Sequence, residues 1–180
     1  ANNYRGFFNQ IDNATVMNLT VSGSAWATAP ASTEYGGALI AGCANGSTIN
    51  GCVAEGSVNG THNVAGVVVR VKDSSIINCT NKANLTGSYS KMGGIATLVQ
   101  DNTAGIGTLF DGCINEGAIT STARGEDGVG GIVGWIGYYN YAAPGAHRYT
   151  IELKLAKKTL SEKVDPGSFI ELGQIQAGRI

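Results

Sequence analysis

Proline is scarce in this 180-residue chain, at 3 copies, and methionine and tryptophan are scarcer still, at 2 each. Charged residues amount to 14%, well under the roughly 25% of an average globular chain. The 12 basic and 13 acidic residues nearly cancel, to a formal net charge of −1. That balance leaves no electrostatic footprint for nucleic acid or an anionic membrane surface. No run of about 18 apolar residues occurs, which argues against a membrane-spanning helix. Neither C-x-x-C nor H-E-x-x-H is present, and with His62 and His147 as the two histidines no zinc-ligand spacing arises, so no cofactor is implied. Helical periodicity is absent from residues 1–140. The hydrophobic fraction, 43%, is too high for intrinsic disorder. The opening ANNYRGFF shows neither a starting methionine nor a basic-then-apolar signal. The chain therefore reads as a mature protein or an excised fragment, with any secretion signal upstream.

Glycine is abundant instead, with 27 copies, and its placement is periodic. Aligned on the cysteines, three segments repeat: Tyr35 to Thr61, Val64 to Ser88 and Met92 to Ser121. Ile49, Ile76 and Phe110 stand three residues before Cys52, Cys79 and Cys113, while Val58, Leu85 and Ile119 stand six after them. Gly37, Gly66, Gly94 and Gly131 open successive units. The stretch from Phe7 is a fainter copy, with Val16 and Leu19 at the Ile49 and Cys52 positions, and Val129 opens a further unit. One such unit cannot bury its own apolar face, but stacked copies place equivalent side chains above one another in a continuous core. Short β-branched segments separated by Gly, Asn and Ser fit a β-solenoid with coils of about 27 residues better than strand–helix alternation. Asn45-Gly46, Asn50-Gly51 and Asn59-Gly60 are the predicted corner turns. Stacking puts Cys52, Cys79 and Cys113 in one interior column, and Leu19 in the equivalent place marks that column as packing. Cys43, in GCANG, falls outside the column, at a predicted turn from which it could reach a neighbour.

The run from Gly36 to Gly60, GGALIAGCANGSTINGCVAEGSVNG, resembles the GLUG-type repeat of bacterial surface and secreted proteins. The opening Gly pair, the T-I-x-x-C core and the closing G-x-V-x-G carry the resemblance, and weaker copies extend it over residues 7–137. It implies a right-handed parallel β-solenoid serving as a stalk or lobe within a larger surface protein. Some members carry a metalloprotease domain elsewhere and others are regarded as adhesins. The resemblance supplies no catalytic residue for the repeat itself. The insertion from Gln100 to Gly107 departs from the repeat, which makes that coil's loop atypical.

From Ala146 the composition shifts. Residues 146–180 hold six basic and four acidic residues, against six and nine in residues 1–145. Tyr149, Ile151, Leu153 and Leu155 alternate with polar residues, as in a strand. Residues 157–164 are predicted to continue as a short helix, Asp165-Pro166-Gly167 as a turn and Phe169–Leu172 as a second strand. The end of a solenoid exposes strand edges, so 146–180 reads as a cap on a solenoid domain of residues 1–145, or as the start of a second element.

Trp135, Tyr138, Tyr139 and Tyr141 crowd into one short stretch of a chain with 7% aromatics. Such rigid rings suit a platform for sugar rings or a partner surface. The alternative is packing between the last coil and the C-terminal strands. Asp73, Asp101, Asp111, Glu116, Glu126 and Asp127 share no register on the repeat, whereas glycoside cleavage needs two carboxyls at a fixed separation. Turn solvation accounts for them, and His62 and His147 read as solvent-facing. The sequence thus points to an all-β chain, a right-handed parallel β-solenoid of about five coils with a C-terminal cap, without metal or cofactor. The function it suggests is a non-catalytic bacterial module, extracellular or at the cell surface, for adhesion to glycans or a surface protein. A structural spacer of a larger surface protein and a polysaccharide-degrading β-helix enzyme are the alternatives, the last requiring carboxylates gathered in a groove.

Overall fold

The corners of each coil are set by residues that tolerate a left-handed backbone, and these recur at the same two points of successive coils. In the computed structural model the structure describes residues 3–27, 35–88, 91–100, 107–122, 128–136, 149–155 and 158–164, the last two stretches as backbone alone. The first coil comprises β1 (Tyr4–Arg5), β2 (Phe8–Asp12), β3 (Thr15–Met17) and β4 (Thr20–Ala27). The second comprises β5 (Gly36–Gly37), β6 (Ala41–Asn45), β7 (Thr48–Asn50) and β8 (Val53–Gly60). In the third, β9 (Asn63–Ala65), β10 (Val68–Lys72) and β11 (Ser75–Ile77) precede a divided last side, β12 (Thr80–Asn81) and β13 (Asn84–Gly87). The fourth repeats this division: β14 (Met92–Gly93), β15 (Ala96–Val99), β16 (Leu109–Asp111), β17 (Ile114–Asn115) and β18 (Ile119–Ser121). A fifth coil begins with β19 (Val129–Gly130) and β20 (Val133–Ile136).

Equivalent strands pair in parallel from coil to coil and form four sheets. The first sheet is β1-β5-β9-β14-β19 and the second β2-β6-β10-β15-β20. The third is β3-β7-β11-β16, and the fourth runs from β8 to β12 and β13 and on to β17 and β18, with β4 on its other side. Among the described residues there is no helix. This is a parallel β-solenoid.

The register is the one that the cysteine alignment predicts. Val16, Ile49, Ile76 and Phe110 are mutual partners in the third sheet, and Ala25, Val58, Leu85 and Ile119 are partners in the fourth. Both columns point into one apolar core, in which Ile49, Ile76, Val58 and Leu85 are fully buried. The corner between the second and third sheets holds Asn13, Gly46 and Asp73 at φ of 47°, 52° and 45°. The next corner holds Asn18, Gly51, Asn78 and Gly112 at 53°, 63°, 49° and 62°. Glycine, asparagine and aspartate are the residues for which this conformation costs least. At the second corner glycine alternates with asparagine because the Asn side chain of one coil lies over the glycine of the next. A Cβ on Gly51 would stand 2.7 Å from Asn18 Oδ1.

Four expectations are corrected. Gly37 pairs with Val64, so it lies two residues out of line with Gly66 and Gly94, which bond to each other as Gly66 N–H to Gly94 O. Asn59-Gly60 is not a turn: it ends β8 and pairs with Trp26-Ala27 and Thr86-Gly87. His62 is 7% exposed, because neighbouring backbone runs against its corner and accepts from Thr61 N–H through Ala27 O and from Asn63 N–H through Tyr35 O. Last, residues 158–164 of the predicted helix form a strand. β22 (Lys158–Val164) pairs antiparallel with β21 (Tyr149–Leu155) in register from Tyr149–Val164 to Leu155–Lys158. Antiparallel pairing along the whole of β21 satisfies the backbone of these residues over more positions than a lone, costly helical nucleus would.

Candidate functional site

The strand β20 carries Trp135, half-buried, at the end of an outward-facing row of the second sheet. The row runs Gln10, Cys43, Arg70, Leu98 and Trp135, one residue per coil. Cys43 and Leu98 are nonetheless buried, because Tyr4, Ala38, Ala65 and Val69 pack beside them in a second, smaller apolar cluster that Trp135 borders. A cation sits over an aromatic ring on each side of this cluster. The Arg70 guanidinium carbon lies 5.0 Å from the centre of the Tyr4 ring, and Lys91 Nζ lies 5.6 Å from that of Trp135. Such pairs contribute about 0.5 to 1 kcal/mol each at partly exposed sites. Trp135 thus has a packed face and a face engaged by Lys91. Tyr138, Tyr139 and Tyr141 lie outside the described residues.

Cys43 belongs to β6 and not to a turn. Burial pushes its thiol above the ordinary range, against the weaker opposing pull of the Arg70 charge. The other three cysteines form the expected column, with Leu19 below them. Val53 N–H donates to Leu19 O, Thr80 N–H to Cys52 O and Ile114 N–H to Cys79 O. Each thiol donates in the same way, to the carbonyl two residues back and to one in the coil below. For Cys52 these are Asn50 and Val16, for Cys79 Ile77 and Ile49, and for Cys113 Asp111 and Ile76. The four cysteines are free thiols.

A cleft of about 290 Å³ opens at the first coil. One wall is β4 from Val21 to Trp26, the other the turn Arg5-Gly6-Phe7, and Gly37 to Leu39 of the second coil close its floor. Val21 and Ala25 turn their side chains inward against the core, while Ser22 and Ser24 face out. Ser22 Oγ donates to Glu55 Oε2 at 3.1 Å, and Ser24 Oγ accepts from Ser57 Oγ at 3.1 Å, which fixes both hydroxyls along the rim. Trp26 is 71% exposed and Phe7 67% exposed. The cleft therefore has Val21 and Ala25 turned inward, Phe7, Trp26 and Arg5 exposed at its border, and the two fixed hydroxyls on the outer face of β4 beside it. That combination suits a ligand with both an apolar face and hydrogen-bonding edges.

Sequence reasoning missed this pair, although a signal existed for Trp26. Its partners in the outward column are Asn59, Thr86 and Thr120, all polar, so a tryptophan there has no packing role to explain it. Phe7 gave no such signal, because it occupies a core column. The N–H of Phe8 bonds to Ile40 O as that of Ala41 bonds to Val67 O, which places Phe7 in line with Ile40 and Val67, both fully buried. Of the carboxylates, Asp73 stands at a corner, Asp111 on β16 and Glu116 after β17, while Asp101, Glu126 and Asp127, like His147, lie outside the described residues. Among the described residues no three His, Cys, Asp or Glu side chains gather as a metal site, and no helix is long and apolar enough to cross a membrane. Comparison of the chain with protein-family models, with curated proteins and with solved structures found no match.

Proposed function

We propose that this chain is a non-catalytic binding module, a GLUG-like solenoid of a bacterial surface or secreted protein, whose first coil recognises a glycan. The observation that carries the reading is Trp26. It is 71% exposed on β4, the strand that borders the cleft, in an outward column that is polar in the other three coils. Trp26 and Phe7 are both exposed and border one cleft, and grouped apolar exposure, unlike a single side chain, marks a contact surface. A sugar ring supplies the matching chemistry: C–H groups to lie on the indole, and hydroxyls for Ser22, Ser24 and Arg5.

The test is retention of the chain on an array of bacterial, host and plant glycans, with Trp26→Ala and Tyr139→Ala variants beside it. The expected result is selective binding that falls tenfold or more in Trp26→Ala, about the weight of an aromatic anchor at an interface, and persists in Tyr139→Ala. Loss in Tyr139→Ala with retention in Trp26→Ala would move the site to the C-terminal aromatic cluster. Absence of binding across the array would overturn the reading in favour of a spacer.

One observation favours the spacer. Phe7 continues a buried column yet is 67% exposed, an apolar residue in a position suited to packing against further β structure. The spacer reading expects Phe7→Ser to improve solubility without touching glycan retention.

A further inference from the structure

The thiols of Cys79 and Cys113 occupy equivalent places in adjacent coils, since Thr80 and Ile114, which follow them, are direct parallel partners. Neighbouring parallel strands run about 4.8 Å apart, inside the 4.4 to 6.8 Å range of Cα separations that a disulfide spans. Both side chains leave the corner in the same direction, each having the left-handed residue Asn78 or Gly112 directly before it. The two environments differ. Cys79 is fully buried, with coils on both sides, whereas Cys113 is partly exposed. Cys52, the third member of the column, is fully buried on the far side of Cys79.

We propose that Cys113 is an oxidant-accessible thiol and Cys79 its resolving partner, so that a peroxide converts this pair into a disulfide stapling the third coil to the fourth. In the first step the Cys113 thiolate attacks one oxygen of the peroxide. The O–O bond breaks, Cys113 becomes a sulfenic acid, and the leaving oxygen takes up a proton. The sulfur of Cys79 then attacks the sulfenic sulfur. The S–O bond breaks, the S–S bond forms, and the hydroxyl departs as water with the Cys79 proton. Two thiols lose two electrons and the peroxide gains them. The neighbouring Cys79 side chain draws the Cys113 thiol below its ordinary range, and the same neighbour, with burial, pushes Cys79 up. Cys113, partly exposed where Cys79 is fully buried, is the thiol that the peroxide reaches first.

The experiment treats the folded chain with graded hydrogen peroxide, alkylates the remaining thiols under denaturing conditions, and maps peptides without reduction. The expected product joins the Cys79 and Cys113 peptides, and free thiols fall from four to two with Cys43 and Cys52 alkylated. A Cys52→Ser variant should form the same link, and a Cys79→Ser variant should stop at a Cys113 sulfenic acid that dimedone traps. Three results would each overturn the proposal: a Cys52–Cys79 link, a link only between separate chains, or Cys113 oxidised beyond sulfenic acid while Cys79 stays alkylatable. The wild-type map decides among these by itself, so a variant that fails to fold leaves the proposal open to refutation.

Discussion

At the scale of single residues, the backbone at the corners constrains the sequence most tightly. Every described residue at the two left-handed corners is glycine, asparagine or aspartate. Gly51 shows why more than φ is involved. Alanine there would take a left-handed conformation costing about 1 to 2 kcal/mol, and its Cβ would press on Asn18 Oδ1. Gly51→Ala is therefore expected to destabilise the fold by at least that amount, and urea denaturation followed by circular dichroism would measure it. These corners were legible, because Asn-Gly at residues 45–46 and 50–51 is strong turn chemistry. Asn59-Gly60 has the same two letters and misleads. It closes a strand because its flanking residues already pair in register with neighbours on both sides, and that pairing overrides a local preference.

At the scale of elements, the fourth sheet changes shape along the stack. β4 and β8 run unbroken for eight residues, whereas the third and fourth coils break the same side in two. Asn81 makes the break. Its buried amide donates from Nδ2 to Ala83 O at 3.0 Å and to Asn115 Oδ1 at 2.7 Å, and its Oδ1 accepts from Ala83 N–H at 3.0 Å. Asn115 repeats the motif by donating to Gly117 O at 3.1 Å. The glycines that face them are explained in the same stroke, since a Cβ on Gly66 would collide with Asn81 Oδ1 and one on Gly94 with the Asn115 side chain. In the first two coils the column holds Val21 and Ala54, and no amide is there to bend the chain. Asn81→Ala would orphan the Ala83 N–H and carbonyl in the core, at about 2 to 4 kcal/mol. The half-buried Asn115→Ala should cost less, and paired melting curves of the two variants would show the difference. The break was not readable beforehand, because an Asn in a polar, glycine-rich repeat looks like one more turn residue until its burial is known.

On the scale of the whole molecule, contacts run mainly between adjacent coils, with Arg70 of the third coil over Tyr4 of the first as an exception, so stability is close to a sum of nearest-neighbour stacking. Ile49, Cys52, Ala54 and Val58 of the second coil are fully buried, while their first-coil counterparts Val16, Leu19, Val21 and Ala25 are only partly so. Hydrogen exchange should therefore find the slowest amides in β7, β8, β10 and β11 and markedly faster ones in β3. Equal protection in the first and third coils would contradict this gradient. The first coil also holds Phe7 and Trp26, so exchange at β4 measured with and without a bound glycan would join the stability gradient to the proposed function.

The sequence by itself determined the coil, its core columns and the line of three cysteines. In a parallel in-register stack, a repeat in the chain becomes a column in space without further information, so Ile49, Ile76 and Phe110 could be superposed by counting. Only the tertiary structure decided what lies where the repeat is broken or ends. Gly37 slipped two places from Gly66, because backbone pairing with Val64 outweighs the likeness of two glycines. His62 went inside and residues 158–164 became a strand, each through neighbours remote in sequence. Phe7 carries the pattern of a core residue and yet is exposed, because burial depends on the layers stacked against a residue and not on its local pattern.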